Sequence, residues 1–101
     1  MDFGVTALNW QVYIILCSDD TLYTGITTDI ERRICQHAEG RGAKYFRGRQ
    51  PKLLLYLEGD HDRSSASKRE LLIKGMKRPE KQLLACSEAN VAYLFPSCGS
   101  R

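Results

Sequence analysis

The chain has 101 residues, of which 43% are hydrophobic and 27% are charged, and its formal net charge is +3. This length and composition are typical of one folded globular domain and exclude a disordered or fibrous protein. The longest apolar run, residues 12–17, is far shorter than the ~20 residues that span a bilayer, and Met1 to Trp10 lacks the basic start of a signal peptide, so neither membrane insertion nor secretion is predicted.

The cysteines indicate reduced thiols. None of the four, Cys17, Cys35, Cys86 and Cys98, has the CxxC spacing of a metal site. No disulfide framework is apparent either, although their number is even. A reducing compartment, and hence a cytoplasmic location, is the expectation.

Two β-strands are predicted near the start of the chain, at residues 12–17 and 22–27. Both segments are rich in β-branched and aromatic residues, and turn-forming residues separate them. Side chains alternate across a strand, so the apolar faces of a hairpin coincide only when the numbers of paired residues sum to an even value. This register places Tyr13 and Tyr23 on the same face of the hairpin.

The loop of this hairpin is predicted to contain three residues, since a two-residue loop would bring the wrong faces together. In the pairing that we expect, Ser18 lies opposite Leu22 and Tyr23 lies opposite Cys17. Three-residue loops often contain one residue in the left-handed region, which Asp tolerates better than most residues. Asp20 is predicted to adopt that conformation.

The first helix is predicted to start at Thr28, because Thr28 and Glu31 have the spacing of a capping box. Asp29 suits the positive end of this helix. Apolar residues recur at helical spacing to about Glu39, and the glycine-containing segment 40–42 ends the helix.

Two further helices are predicted in the second half of the chain. The second covers about 62–77 and is capped by Asp62 or Ser64. The third covers about 79–87, where a proline is tolerated in the first turn. Gly75 marks the joint between the two helices.

A third strand is predicted at residues 51–58, with both faces buried, and residues 91–95 are either a short final strand or part of a tail. The order β-β-α-β-α-α predicts a small α/β (α+β) domain, in which helices flank one three-stranded mixed or antiparallel sheet. Residues 1–101 are expected to form a single domain, with a core at about 10–87 and a tail at 88–101.

A basic loop lies between the first helix and the third strand. From residue 40 to residue 57 there are five basic residues and no acidic one, and Tyr45 and Phe46 lie among them. This composition is typical of a surface that binds a polyanion, although a solvated loop is the simpler alternative. The predicted nucleic-acid-binding residues are Arg41, Lys44, Arg47, Arg49 and Lys52.

Five side chains on the predicted strands and helices have the chemistry that phosphodiester hydrolysis needs. Arg33 offers a planar fork of donors to phosphate oxygens, and His37, four residues later, lies on the same helix face as a base or a phosphate donor. Tyr13 and Tyr23 are weak bases at neutral pH unless a cation lowers their pKa. Glu70 is a single carboxylate that can hold Mg²⁺ or Mn²⁺ with water and phosphate.

Each of these residues also has a structural explanation. Strand tyrosines commonly pack, helix arginines are commonly solvated, and Glu70 has the spacing to pair with Lys74. Gly25 is either a close-packing or a bulge residue. His61, beside two aspartates, is interpreted as a loop residue without a functional role.

From about Trp10 to Leu84 the sequence resembles the GIY-YIG endonuclease superfamily, especially its small single-domain bacterial members. The resemblance depends on the order of four segments. Gln11-Val12-Tyr13 stands where the family has Gly-Ile-Tyr, Tyr23-Thr24-Gly25 where it has Tyr-Ile-Gly, residues 27–33 with His37 resemble its helix, and Glu70 fits its metal-binding glutamate.

The resemblance implies hydrolysis of DNA with one divalent ion, Mg²⁺ or Mn²⁺, bound by Glu70. It further implies that Tyr13 activates the attacking water, that Tyr23 and His37 assist by hydrogen bonding, and that Arg33 stabilises the phosphate. Gly25 would keep its strand close to the neighbouring one. No clear counterpart exists of the asparagine that some members use, and no segment resembles the separate DNA-recognition domain of larger members, so the basic loop or a protein partner is expected to supply specificity.

Three functions follow from these observations. The leading hypothesis is a metal-dependent endonuclease that acts on branched or damaged DNA in repair or recombination. The second is a non-catalytic nucleic-acid-binding module that uses the loop 41–52, with RNA as a possible ligand. The third is a protein-interaction adaptor on the same fold, since a fold does not determine a function.

Overall fold

The computed structural model describes residues 8–41, 44–46 and 48–92, and the backbone alone of Tyr45. These residues form three strands and three α-helices in the predicted order, with a short 3-10 helix (Lys44–Phe46) before the third strand. The strands are β1 (Trp10–Cys17), β2 (Leu22–Thr27) and β3 (Pro51–His61), and the α-helices are α1 (Ile30–Ala38), α2 (Arg63–Lys74) and α3 (Arg78–Ala85). None of the helices in the described part of the chain has the length and apolar character needed to cross a membrane.

The three strands form one antiparallel sheet in the order β2-β1-β3, with β1 in the centre. Both faces of the sheet are covered by helices, which explains why β1 reads as a continuous apolar run rather than an alternating one. Tyr13 and Ile15 pack with α1 in one core, whereas Val12 and Ile14 pack with α2 in a second core. The sheet therefore separates two hydrophobic layers.

The register of the β1–β2 hairpin has the predicted parity, so the two tyrosines lie on the same face of the sheet. The predicted pairing is wrong by two residues. Leu22 pairs with Leu16 rather than with Ser18, and Tyr23 consequently lies opposite Ile15.

The shift arises because Thr21 belongs to the ladder rather than to the loop. The Cys17 amide donates to the Thr21 carbonyl at 2.8 Å, and the Asp20 amide donates to the Cys17 carbonyl at 2.9 Å. The Asp19 carboxylate accepts a hydrogen bond of 2.6 Å from the Thr21 hydroxyl, which holds Thr21 in place. The loop spans 18–20, and Asp20 has the predicted left-handed conformation, with φ of 68°.

Helix α1 is capped by Asp29 and not by the predicted Thr28. The Asp29 carboxylate accepts a hydrogen bond of 3.1 Å from the Arg32 amide, whereas Thr28 is exposed. Gly40, with φ of 77°, follows the helix end in a left-handed conformation, as expected for a glycine that stops a helix. Gly42 lies outside the described residues.

Strand β3 extends three residues beyond the predicted end, to His61. Its predicted burial on both faces holds only in the centre of the strand, because β3 lies at an edge of the sheet. Leu53, near its start, is 45% exposed. The buried central residues are Leu54, Tyr56 and Leu57.

Helix α2 starts after Asp62, one of the two predicted caps. The Asp62 carboxylate accepts a hydrogen bond of 2.8 Å from the Ser65 amide. The helix ends at Lys74, three residues earlier than predicted, and Gly75 follows as the joint. Helix α3 has Pro79 in its first turn, where a missing amide hydrogen is tolerated.

The outer edge of β3 is covered by Asn90. Its side-chain amide donates to the carbonyls of Leu55 (3.0 Å) and Ala85 (2.8 Å), and its side-chain oxygen accepts from the Leu57 amide at 3.1 Å. The Val91 amide adds a bond of 2.9 Å to the Leu57 carbonyl without forming a strand. The rest of the segment predicted as a strand or tail, residues 93–95, lies outside the described residues.

Candidate active site

Tyr13 lies in the middle of the central strand, and its side chain is wholly buried. Its hydroxyl oxygen is 2.9 Å from Nε2 of His37. His37 reaches this position because Ile30, Ile34 and His37 recur at helical spacing on the buried face of α1. His37 of α1 therefore meets the face of the hairpin on which the two tyrosines lie.

The pKa values of this pair determine which atom donates. Burial, followed by the neighbouring Tyr23, raises the pKa of the Tyr13 phenol well above its ordinary value of 10.0. Burial, with a contribution from the Arg33 guanidinium, lowers the pKa of His37 from 6.5 to about 4. At neutral pH the phenol is protonated and the imidazole is neutral, so the Tyr13 hydroxyl donates to Nε2 and the other ring nitrogen carries the histidine proton.

An aromatic cluster surrounds the imidazole. The Phe46 ring stacks on His37 with centroids 4.1 Å apart, and Tyr23 meets both rings edge to face, at 5.5 Å from His37 and 5.0 Å from Phe46. The sequence placed Phe46 on a basic surface, but the residue is buried, with 2% exposure. Phe46 thus fixes the basic loop beside the candidate site, and Lys44 lies on the same short helix.

Gly25 is directly opposite Tyr13 in the ladder. A Cβ atom at Gly25 would lie 2.5 Å from the Tyr13 hydroxyl oxygen, 2.7 Å from Tyr13 Cζ and 3.0 Å from Tyr23 Cε2. These distances are too short for any side chain, because the ring of Tyr13 crosses above the glycine. The glycine of the second motif therefore provides the space in which the Tyr13 phenol lies.

Replacing Gly25 by alanine is expected to displace the Tyr13 ring and break its contact with His37. The rearrangement of a packed core should lower the free energy of unfolding by about 1–3 kcal/mol. Gly59→Ala is the matched control, since a Cβ atom at this strand position meets no described residue within 4 Å. Urea unfolding compares the two variants, and equal stability of both would contradict this role for Gly25.

Arg33 lies on α1 one turn before His37. Its Nη1 donates to the Gln36 side-chain oxygen at 3.2 Å, while its Nε is buried without a hydrogen-bond partner among the described residues. Arg33 also opposes the rise in the pKa of Tyr13, through a side-chain hydrogen bond and through its charge. The guanidinium is therefore beside the phenol and retains a donor for an added anion.

Glu70 comes from α2, on the other side of the sheet from α1. Ala66, Glu70 and Ile73 share one helix face, so the Glu70 side chain is directed at the sheet and is only 20% exposed. Its negative charge contributes to raising the pKa of both Tyr13 and Tyr23. The structure thus brings the carboxylate within electrostatic reach of both phenols.

The donor set around Glu70 fits one hard divalent cation. Residues 8–41, 44–46 and 48–92 contain no cluster of three or more His, Cys, Asp or Glu side chains that could enclose a metal ion. Mg²⁺ commonly uses one or two carboxylates and completes its shell with water and phosphate oxygens. A single carboxylate that is 20% exposed and whose charge acts on two phenols is compatible with that mode of binding.

The basic loop is less uniformly available for nucleic acid than its sequence suggests. Arg49 Nε donates to the Asp19 carboxylate at 2.5 Å, which ties the loop to the β1–β2 turn. Arg41 pairs with Glu39. Lys44 and Lys52 are exposed, and Arg47 lies outside the described residues.

His61 does not lie in a loop, which corrects the prediction. It is the last residue of β3, with its ring nitrogens 2.5 Å from the Glu58 carboxylate and 2.9 Å from the Ser65 hydroxyl. Arg69 Nε and the Tyr56 hydroxyl also donate to Glu58. No periodicity indicated this network, because it joins a strand to the start of a helix through polar side chains alone.

Residues 9–83 match the model of the GIY-YIG catalytic domain. The chain belongs to the GIY-YIG family. GIY-YIG domains are nuclease domains, so membership indicates a nucleic acid as the class of substrate. The Tyr13, Gly25, Arg33, His37 and Glu70 positions lie within the matched region.

Several relatives share most of their length with this GIY-YIG chain. The UPF0213 protein DP2720 of Desulfotalea psychrophila is 50% identical over 87% of this chain and 83% of its own. The UPF0213 protein YhbQ of Escherichia coli is 41% identical, over 87% of this chain and 88% of its own. The solution NMR structure of the UPF0213 protein BH0048 from Bacillus halodurans is 40% identical, with a TM-score of 0.50, over 79% of this chain and 85% of its own.

Proposed function

We propose that the protein is a divalent-metal-dependent endonuclease that hydrolyses phosphodiester bonds in DNA. The observation that carries the proposal is the hydrogen bond of 2.9 Å between the Tyr13 phenol and His37, a pair buried beside Arg33. The effect of Glu70 on the pKa of Tyr13 supports placing the metal-binding carboxylate at the same site. Family membership supports a nucleic acid as the substrate.

Tyr13 and His37 would activate water as a relay. A free Tyr13 phenolate is costly because burial raises the pKa of the phenol. In the relay, the phenol oxygen accepts a proton from water while the phenol proton passes to Nε2 of neutral His37, so no isolated phenolate forms. The hydrogen bond between the two groups has the length that such a transfer requires.

Arg33 would stabilise the negative charge that develops on the nonbridging phosphate oxygens. Its buried Nε supports this role, because a polar group that has no partner in the described part of the chain gains a hydrogen bond when the substrate arrives. Tyr23 would assist by hydrogen bonding and by holding His37 through the edge-to-face contact.

Glu70 would hold the Mg²⁺ or Mn²⁺ ion, with water and phosphate oxygens as the remaining ligands. When bound, the ion supplies positive charge and Lewis acidity at the scissile phosphate. The Arg33 guanidinium and the ion would together offset the charge of the phosphate.

Lys44 and Lys52, exposed on and after the short helix of the basic loop, would contact the DNA backbone, and we assign the same role to Arg41, Arg47 and Arg49 from the sequence. The packing of Phe46 on His37 supports this assignment, because it holds Lys44 close to the reacting groups. Branched or damaged DNA is the substrate that we propose, in repair or recombination. The free thiols Cys17, Cys35 and Cys86 support work in the reducing cytoplasm.

Tyr13→Phe tests the proposal most directly. The substitution removes the hydroxyl that joins water to His37, and a loss of general base catalysis should lower the cleavage rate about 10²–10⁴-fold. Labelled duplex, flap and branched DNA are incubated with the purified protein and Mg²⁺ or Mn²⁺, with and without EDTA. Tyr56→Phe is the matched control, since Tyr56 is also wholly buried but packs on the other face of the sheet.

Wild-type protein and Tyr56→Phe are expected to cleave DNA at similar rates, and EDTA should stop both. Equal cleavage by Tyr13→Phe would contradict the relay and point to a contaminating nuclease. Salt-dependent binding of DNA without cleavage under any metal condition would instead favour a non-catalytic binding module.

A further inference from the structure

The carboxylate of Glu70 forms an ion pair with Lys74. Lys74 Nζ lies 3.3 Å from Glu70 Oε2, with the lysine side chain 49% exposed and the glutamate 20% exposed. The two residues are one turn apart on α2, and glutamate preceding lysine is the favourable order for such a pair. A helix ion pair alone would explain this geometry.

Tyr23 provides a second, independent observation. Burial raises the pKa of the Tyr23 phenol, and the first charge that opposes this rise is the Lys74 ammonium, ahead of the Arg33 guanidinium. Glu70 acts on the same phenol in the opposite direction. Lys74 is therefore part of the charge arrangement around the tyrosines and not only a solvated residue on the outer face of α2.

We propose that Lys74 is a positioning residue that competes with the divalent ion for Glu70 and thereby sets the metal concentration at which the site fills. The inference rests on the proposed function, in which Glu70 holds the ion. A protonated lysine has only donors and cannot itself be a metal ligand. A cation that coordinates Oε2 must displace the ammonium, and its positive charge also repels the ammonium.

In the absence of metal, the ammonium neutralises the Glu70 charge beside the two phenols. If the ammonium competes with the ion for Glu70, its removal makes metal binding tighter. If the pair contributes only to the stability of α2, its removal makes the helix slightly less stable and leaves the metal affinity unchanged. The sign of the effect on metal affinity therefore separates the two interpretations of Lys74.

Binding of Tb³⁺ to the full chain without DNA measures this affinity, because a nearby tyrosine sensitises the luminescence of the bound ion. Lys74→Met is expected to lower the Kd for Tb³⁺ about two- to fivefold, the range of a half-exposed ion pair. Lys74→Arg retains the charge and should bind Tb³⁺ as the wild type does. Lys68→Met is the matched control, since Lys68 is an exposed lysine on the same helix, two residues before Glu70.

Unchanged or weaker binding by Lys74→Met, or an equal change in Lys68→Met, would overturn the role of Lys74. Glu70→Gln distinguishes this failure from failure of the proposed function. If Glu70→Gln loses the signal while Lys74→Met leaves it unchanged, the metal site stands and only the competition is wrong. If Glu70→Gln binds Tb³⁺ like the wild type, Glu70 is not the ligand and both proposals lose their metal site.

Discussion

Glu70→Gln is expected to lower DNA cleavage by about 10³-fold or more at saturating Mg²⁺, the scale on which the loss of an electrostatic contribution at a phosphate reduces catalysis. Glutamine has nearly the same shape as glutamate but lacks the charge that would hold the ion. Glu70 acts on both Tyr13 and Tyr23, and the described residues contain no cluster of three or more His, Cys, Asp or Glu side chains that could bind the ion in its place.

The same substitution should barely affect the fold. The ion pair with Lys74 is half exposed on the lysine side, so its loss costs about 0.5 kcal/mol or less. Cleavage assays and thermal unfolding are measured on the same preparation, with Glu88→Gln, an exposed glutamate beyond α3, as the control. Residual cleavage above a tenth of the wild-type rate would show that the reaction does not depend on Glu70.

The second large effect is expected from Arg33→Ala, which should lower cleavage by about 10²–10³-fold. Arg33→Lys should restore only a small part of this loss, because an ammonium has the charge of the guanidinium but not its planar fork of donors. Arg32→Ala is the matched control, since Arg32 is an exposed arginine in the adjacent position of α1. Equal losses in Arg32→Ala and Arg33→Ala would indicate general attraction of DNA rather than a specific role for Arg33.

Arg33→Ala is also expected to change the pKa of His37, which can be measured without catalysis. The guanidinium contributes to the lowered pKa of His37, since a positive charge disfavours protonation of the imidazole. Removing it should raise the pKa of His37 towards its ordinary value, although burial will keep it low. Titration of the histidine ring signals by NMR measures this shift, and an unchanged pKa would contradict the proximity of the two side chains.

Much of the fold could be predicted from patterns over a few neighbouring residues. The bounds of β2, the positive φ of Asp20 and the parity of the hairpin each follow from rules that act over a few residues. The N-cap of α1 was misplaced by one residue because Thr28 and Asp29 are both good caps. The even sum of paired residue numbers determined which faces of the hairpin meet, but it did not determine which three residues form the loop. The hydrogen bond from Thr21 to Asp19 favours the loop 18–20.

The residues of the candidate site could be proposed from the sequence. The residues that pack around them could not. Motif order indicated Tyr13, Gly25, Arg33, His37 and Glu70 as candidates, and the helical spacing of Glu70 and Lys74 agrees with their contact. Phe46 was read as a surface residue, because nothing local indicates that a basic loop folds back onto an imidazole. The network around Glu58 and the bonds of Asn90 join residues distant in sequence, and such contacts leave no periodic signal.

Asn90 has a consequence for the ways in which this domain can associate. An uncovered edge strand invites another chain to add a strand through main-chain hydrogen bonds, as in β-augmentation and amyloid growth. Here the carbonyl of Leu55 and both backbone groups of Leu57 already have partners. At these two residues, a molecule that approaches the margin must therefore recognise side chains, and substitution of Asn90 would free their backbone groups for intermolecular sheet formation.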